Sequence, residues 1–587
     1  MAATPAARKA ARPSAPAVKA SATVRRWLRG MTLRDQVAQL VFIPFYGGAP
    51  NSQSSQYRKF LRLIRDTRVG GLILVNQSNG RQIAKAEPYA LAAFLNRMQR
   101  VARVPLLVGG DFERGASMRV NGTTQFPHAM AFGATGDPEF SRYEGQVTAI
   151  EARALGVQWI YYPVADVNNN PDNPIINIRS FGENPAMVAA HVTAFIQGAH
   201  SDKKNYVLTT AKHFPGHGDT ATDTHLNMGT VSGDRARLAA VELVPFKAAI
   251  AAGVDSIMTA HLAVPALAPP DLPATLSPQI LTGLLRNELG FKGLVITDAL
   301  DMRGISGGFS TGDACVRALE AGADTLLMPP NPDAAIQAVV RAVESGRISR
   351  QRLQESVVKI LAAKEKLGLD RKRSVNLEGI GDVVDSPEAE ARAQEIADRA
   401  VTLVRNQGSP VPLADPASAC YVVLGEGRYS SEGQTFAQEV RKRAAAAALV
   451  TLDSDSSRGD VEAAVGKLPA SCGVYVAAAF ASVAAYRGSV GLDGELPHAI
   501  EMLQATGKPV VLVSLGNPYL LRNFANVAAY VATFSTVPPS EIAAVKALWG
   551  EIAIRGHLPV SIPGLAQYGD GIQTQPTRPT VTSGANR

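Results

Sequence analysis

The chain reads as two α/β units in succession: an N-terminal (β/α)8 barrel of the TIM type, then a C-terminal α/β (αβα) sandwich domain. Three observations predict this. Eight short apolar runs alternate with helical patterns over residues 27–368, as a parallel sheet with crossover helices requires. Polar clusters follow those runs, at the strand ends where a barrel of this kind keeps its active site. A second series of apolar runs, again separated by helical stretches, fills residues 386–570.

The barrel strands are expected, in order, at Leu40–Pro44, Gly71–Val75, Pro105–Gly109, Trp159–Tyr162, Val207–Thr209, Ser256–Thr259, Gly293–Thr297 and Thr325–Met328. Each is short, rich in β-branched or aromatic residues and bounded by turn formers, the pattern of a fully buried strand. Helical patterns such as Ala90–Val101, Pro185–Gly198, Asp234–Ala252 and Gln279–Glu288 lie between them. Residues 369–385, with Arg371-Lys372-Arg373, read as a linker. Ser386-Pro387-Glu388 then opens a helix to about Ala400, a cap residue followed by proline at the first helical position. The second unit's strands are expected at Val401–Val404, Tyr421–Leu424, Val474–Val476, Pro509–Val513 and Ala529–Val531. Its helices are expected near 434–446, 459–467, 495–506 and 540–552. Residues 1–26 read as a disordered, basic, Ala/Pro-rich tail and residues 571–587 as a polar tail.

With 587 residues, the chain is too long for one ordinary domain. Its formal charge is +8, but Arg8, Lys9, Arg12, Lys19, Arg25 and Arg26 supply six of those charges with no acid beside them, leaving 8 − 6 = +2 for the rest. A nearly neutral body argues against nucleic acid as a partner. No apolar stretch is long enough for a transmembrane segment. The N-terminus lacks the apolar core of a secretory signal. Compartment stays open: periplasmic or secreted if a signal was clipped, cytoplasmic otherwise. Cys315, Cys420 and Cys472 are too far apart for a metal or redox motif, and they suggest no disulfide framework. Cys315 sits in a helical pattern and is expected in the core.

The chemistry concentrates in one loop, Lys212 to His225, entered from an apolar strand and broken by Pro215, Gly216 and Gly218. Asp223 and His225 are two apart, so an extended segment would point both side chains the same way. A carboxylate beside an imidazole fixes its tautomer and raises its basicity, which suits a general acid/base. Zinc held by His213, His217 and His225 is a second reading, weakened because Pro215 and Gly216 forbid the helical pair that makes such ligands specific. A hydrogen-bonded structural loop is the third. Other strands lead into Asp111 to Arg119, Asp166-Val167-Asn168 with Arg179, Ala260-His261, and Asp298 with Asp301. An aspartate at a strand-to-helix junction is often only a cap. Five polar clusters on one barrel face are harder to explain that way.

Lys212-His213-Phe214-Pro215-Gly216-His217-Gly218-Asp219-Thr220, followed by Asp223-x-His225, resembles the β-N-acetylglucosaminidase branch of glycoside hydrolase family 3, two-domain type. The resemblance spans residues 27–570. It implies that Asp298, in Thr297-Asp298-Ala299-x-Asp301-Met302, is a nucleophile, and that His225 is the acid/base with Asp223 orienting it. It also implies that Asp111, Arg119, Arg179, Lys212, His213 and His261 bind the sugar, His261 also supporting the nucleophile. The implied activity is exo-acting, retaining removal of terminal N-acetylglucosamine from peptidoglycan- or chitin-derived saccharides. No cofactor or metal is implied, the partner is a small saccharide, and the protein is expected to be a monomer. The second unit is expected to pack or edge the pocket. The chain departs from the family pattern at Arg114, Ser117 and Asn177, which puts the preferred sugar in question. A β-glucosidase or xylosidase and a phosphorolytic N-acetylglucosaminidase remain as enzyme alternatives. A carbohydrate-binding cell-wall protein is the non-enzyme alternative, opposed by the intact set Asp298, Asp223 and His225.

Overall fold

The computed structural model describes residues 20–79, 82–483 and 486–581. The barrel strands are β1 (Val41–Phe45), β2 (Gly71–Leu74), β3 (Leu107–Gly110), β4 (Trp159–Ile160), β5 (Leu208–Phe214), β6 (Ser256–Thr259), β7 (Leu294–Ile296) and β8 (Leu326–Leu327). All pair in parallel, in the order β7-β6-β5-β4-β3-β2-β1-β8. The remaining seam is closed by a bridge between Ile296 and Thr325. There Leu300 donates its N–H to the Leu327 carbonyl at 2.9 Å. The expected (β/α)8 barrel is therefore the fold. Its interior is packed rather than hollow. Trp159 is fully buried, and its indole N–H reaches Thr210 Oγ1 (2.8 Å) and Ser256 Oγ (2.9 Å) on the next two strands. A buried indole must find such a partner, so this ties three strands at one level.

The second unit holds one six-stranded sheet: β9 (Thr402–Asn406), β10 (Cys420–Gly425), β11 (Leu449–Asp453), β12 (Tyr475–Ala481), β13 (Val510–Gly516) and β14 (Ala529–Ala532). The order is β9-β14-β13-β12-β10-β11, parallel except for the antiparallel edge strand β9. Alternate residues of β10 enter different cores, Tyr421 and Val423 on one face, Val422 and Leu424 on the other. Both faces are covered, as a mostly parallel sheet requires. The two units share a core: Met130, Ala131, Ala134 and Ile178 of the barrel pack into the cluster that holds Tyr519, Val560 and Ile562.

Several expectations are corrected. The disordered tail does not run to residue 26. Ala22–Arg29 is a helix capped by Ser21, and Val24 is fully buried. Residues 1–19 lie outside the described residues. The linker 369–385 is a strap on the barrel: Leu369 and Ile380 are buried, and Arg373 donates to the Gln99 and Ala102 carbonyls. The C-terminal tail is pinned as far as described, with Ile572, Thr574 and Thr577 donating to the carbonyls of Leu403, Ile554 and Gly550. Strand β11 was not expected, because the Ala-rich stretch before it carries a helical signal. The helix expected at Asp234–Ala252 is two helices, Arg235–Ala240 and Leu243–Ala251. Pro245 has no N–H for the Val241 carbonyl, so the helix breaks there. Cys420 and Cys472 form a disulfide across a sequence separation of 52. Cys420 opens β10 opposite Tyr475 of the neighbouring strand, and only that pairing brings Cys472 within reach. Cys315 is buried, as expected. Among the described residues no helix is long and apolar enough to cross a membrane.

Candidate active site

The polar residues that follow β3, β4, β5, β6 and β7 meet at the C-terminal mouth of the barrel. Lys212 and His213 belong to the end of β5 rather than to the loop beyond it. Both side chains reach one group of charges, Lys212 through Glu113 and His213 through Arg179. Lys212 lies between two carboxylates, Asp111 at 2.8 Å and Glu113 at 2.7 Å. Asp111 also meets Arg119 at 3.0 Å, and Glu113 takes a bidentate pair from Arg179 at 2.8 Å on each arm. Glu113, not Asp298, is the second carboxylate of this network. Burial would raise the Glu113 carboxyl, but Arg179 and Lys212 hold it well below the carboxylate range. Burial would equally lower Lys212, and Asp111 and Glu113 raise it instead. Asp111, Glu113, Arg179 and Lys212 stay ionised.

His213 Nδ1 faces Asp166 Oδ2 at 2.7 Å, and its Nε2 faces Arg179 Nη2 at 3.4 Å. A carboxylate accepts and a guanidinium donates, so the proton sits on Nδ1. Burial, with Arg179 and Lys212 adding to it, lowers His213 to about 3 and keeps it neutral. Asp166 also accepts the backbone N–H groups of His213 (3.1 Å) and His217 (2.7 Å). Burial nonetheless raises it to about 6. His217 turns to Thr224 at 3.0 Å, which anchors the far end of the loop.

Asp223 and His225 meet by a turn, not by the extended alternation expected. Asp223 Oδ1 accepts both the His225 backbone N–H and ring Nδ1, each at 2.9 Å. The Asp223 carbonyl accepts from Leu226 and Asn227. An aspartate that caps its own turn delivers the same pairing without a strand. Burial would raise Asp223, but the His225 side chain and backbone bonds hold it below its ordinary value. Ring Nε2 of His225 has no hydrogen-bond partner among the described residues and is the nitrogen left to exchange a proton.

Asp298 leaves the end of β7 half-buried, and among the described residues its Oδ1 accepts only the Ala299 N–H, at 2.8 Å. Its charge acts on His213, His261 and Asp301, and that of His225 acts on His261 and Asp301. Asp298 and His225 thus follow parallel strands at the same end of the barrel, both within electrostatic reach of His261 and Asp301. His261 is fully buried, with Nδ1 on Thr275 Oγ1 (2.8 Å) and Nε2 on the Ala299 carbonyl (3.0 Å). Both nitrogens are used, so it grips the backbone beside Asp298 rather than reaching the mouth. Glu113 and Asp166 are the members of the constellation that sequence reasoning passed over. Each stood in a quoted cluster, but only its partners reveal its role. Among the described residues no group of three or more ligand side chains gathers around a metal position.

A carboxylate and an imidazole at one end of a barrel, with ionised residues beside them, can do nucleophilic and acid/base work on a polyol. Comparisons with known proteins place the chain in a family. The model of the glycosyl hydrolase family 3 N terminal domain matches residues 32–363. A beta-N-acetylglucosaminidase/beta-glucosidase of Cellulomonas fimi is 30% identical over 573 residues, covering 92% of this chain and 95% of that protein. Beta-hexosaminidase A of Pseudoalteromonas piscicida is 30% identical over 548 residues, covering 84% of this chain and 89% of its own. The structure of a glycoside hydrolase family 3 beta-N-acetylglucosaminidase from Paenibacillus sp. str. FPU-7 superposes with a TM-score of 0.81 at 33% identity, covering 91% of this chain and 99% of that one. With its barrel, its second α/β unit and its converging acidic and imidazole groups, the chain belongs to glycoside hydrolase family 3 and is a glycosidase.

Proposed function

We propose that the protein is an exo-acting, retaining β-N-acetylhexosaminidase that releases terminal non-reducing N-acetylglucosamine from peptidoglycan- or chitin-derived saccharides. The observation that carries this is the Asp223–His225 pair, at 2.9 Å, at the same end of the barrel as Asp298. Asp298 attacks the anomeric carbon, and the glycosidic bond breaks as His225 Nε2–H passes its proton to the leaving oxygen. Water then attacks the glycosyl–Asp298 ester while His225 takes its proton, returning both groups to their starting state. An imidazole titrates near neutrality, so it needs no raised carboxyl to donate there. Asp111, Arg119, Arg179 and Lys212 hold the sugar hydroxyls, and His213 lines the floor. His261 acts as a positioning residue for the strand end that carries Asp298.

A second reading, activity on β-glucosides, is favoured by the Cellulomonas fimi relative, whose name carries both activities. The deciding experiment is hydrolysis of paired aryl β-glycosides, N-acetylglucosaminide against glucoside, with and without phosphate. A strong preference for the N-acetyl sugar is expected. Preference for the glucoside would overturn the substrate assignment, and acceleration by phosphate would replace hydrolysis by phosphorolysis.

A further inference from the structure

The Asp223–His225 turn lies outside any strand or helix, so no regular element aims the imidazole. What does meet it comes from the other unit. The ring of Tyr486, on the loop after β12, stands edge-on to His225, with centroids 5.1 Å apart and planes at 61°. Tyr486 is 57% exposed, so apolar burial does not explain where its ring lies. Its backbone is in the left-handed region at φ 68°, a conformation unfavourable for a residue with a bulky side chain. Such a conformation persists where its surroundings impose it. Here the next residue does so. Arg487 is pinned by Glu426 and Asp493, each at 2.8 Å, and donates to the Ser482 and Gly491 carbonyls, which staples the loop shut. The loop also approaches the dyad turn at Gly488, beside Leu226. The backbone N–H of Tyr486 acts on the Asp223 carboxylate and favours its ionised form.

We propose that the second unit completes the acid/base: Tyr486 is a positioning residue that holds the Asp223–His225 turn, and Arg487 is the staple that aims it. The inference rests on the reading of His225 given above. A T-shaped ring contact restricts rotation of the imidazole while leaving Nε2 toward the leaving group. Two units that share an apolar core thereby set one catalytic angle.

The test uses the full chain and two aryl N-acetyl-β-glucosaminides. One carries a dinitrophenyl group, which departs without a proton; the other carries a methylumbelliferyl group, which needs one. Tyr486→Gly removes the ring while favouring the left-handed backbone. It should lower kcat/KM on the methylumbelliferyl substrate by about 10-fold or more, the cost of a misplaced general acid, and leave the dinitrophenyl substrate nearly unchanged. Tyr486→Phe keeps the ring and should behave as wild type. Arg487→Ala, which leaves the ring in place but frees the loop, should show the same selectivity more weakly. Equal losses on both substrates, no loss on either, or a Phe variant as impaired as the Gly variant would overturn the inference. His225→Ala is run alongside. If it shows the steep leaving-group dependence and Tyr486→Gly does not, only this inference falls. If His225→Ala shows none, the acid/base reading beneath it falls first.

Discussion

Two charge networks of similar composition sit at opposite ends of the barrel. At the mouth, Lys212 and Arg179 hold Asp111 and Glu113. At the other end Asp324, just before β8, is held by Arg286 at 2.6 Å, Ser356 at 2.6 Å and the Val295 N–H at 3.0 Å, with Lys359 and Arg352 around it. Burial opposes ionisation in both, and in both the surrounding cations win. The difference lies in what is left over. Asp324 has both oxygens engaged and is sealed at the barrel seam, so it has nothing to offer a ligand. At the mouth, among the described residues, Arg119 Nε and His217 Nδ1 are buried without hydrogen-bond partners, and Asp298 accepts only its neighbour's N–H. Charge density does not distinguish a working site from a structural one; spare hydrogen-bonding capacity beside an opening does.

Variants at the two ends should separate cleanly. Asp298→Ala should reduce kcat by about 10⁴-fold or more, the scale of losing a nucleophile, while the melting temperature stays close to wild type. An active variant would remove Asp298 from the mechanism. His225→Ala should cost roughly 10²- to 10⁴-fold on a substrate with a poor leaving group, read from steady-state kinetics. Asp324→Asn should do the reverse. It leaves three half-buried cations short of a partner and should destabilise by about 3 kcal/mol, with kcat of the surviving folded enzyme unchanged. Denaturant unfolding checks this, and a selective loss of kcat would break the contrast.

The smallest expected effect is in the pH dependence of stability, where the two ends carry opposite signs. Asp324 has a folded value below its ordinary 3.8, so its contribution is present above that value and is lost as pH falls through the folded one. Asp166 is raised from 3.8 to about 6, so the fold binds more protons than the unfolded chain in that window and stability falls as pH rises through it. Asp166→Asn should remove that slope, worth roughly 3 kcal/mol across the window. Melting curves of variant and wild type at the two limits would measure it, and parallel curves would refute the Asp166 assignment.

Much of the barrel was legible because each strand is a short apolar run ended by polar residues, and those ends carry the site. The dyad was legible by residue type but not by geometry: Asp223 and His225 meet through a turn that periodicity does not report. Glu113 was hidden because a carboxylate two residues past Asp111 looks the same whether it faces solvent or Arg179. Strand β11 was masked by the alanines before it, whose helical propensity is a weak local preference that sheet pairing with β10 overrides.

By itself the sequence determined the two-unit order, the strand ends that bear Asp111, Lys212, His261 and Asp298, and the chemical types gathered there. These follow from local period and turn chemistry, which act over a few residues. The tertiary structure alone decided that Glu113 meets Arg179, that Cys420 meets Cys472, that the segments at 369–385 and 571–581 are straps, and that Tyr486 faces His225. Those contacts join residues from tens to hundreds of positions apart. Their energies arise from burial and pairing that exist only once the barrel has closed and the second sheet has docked against it.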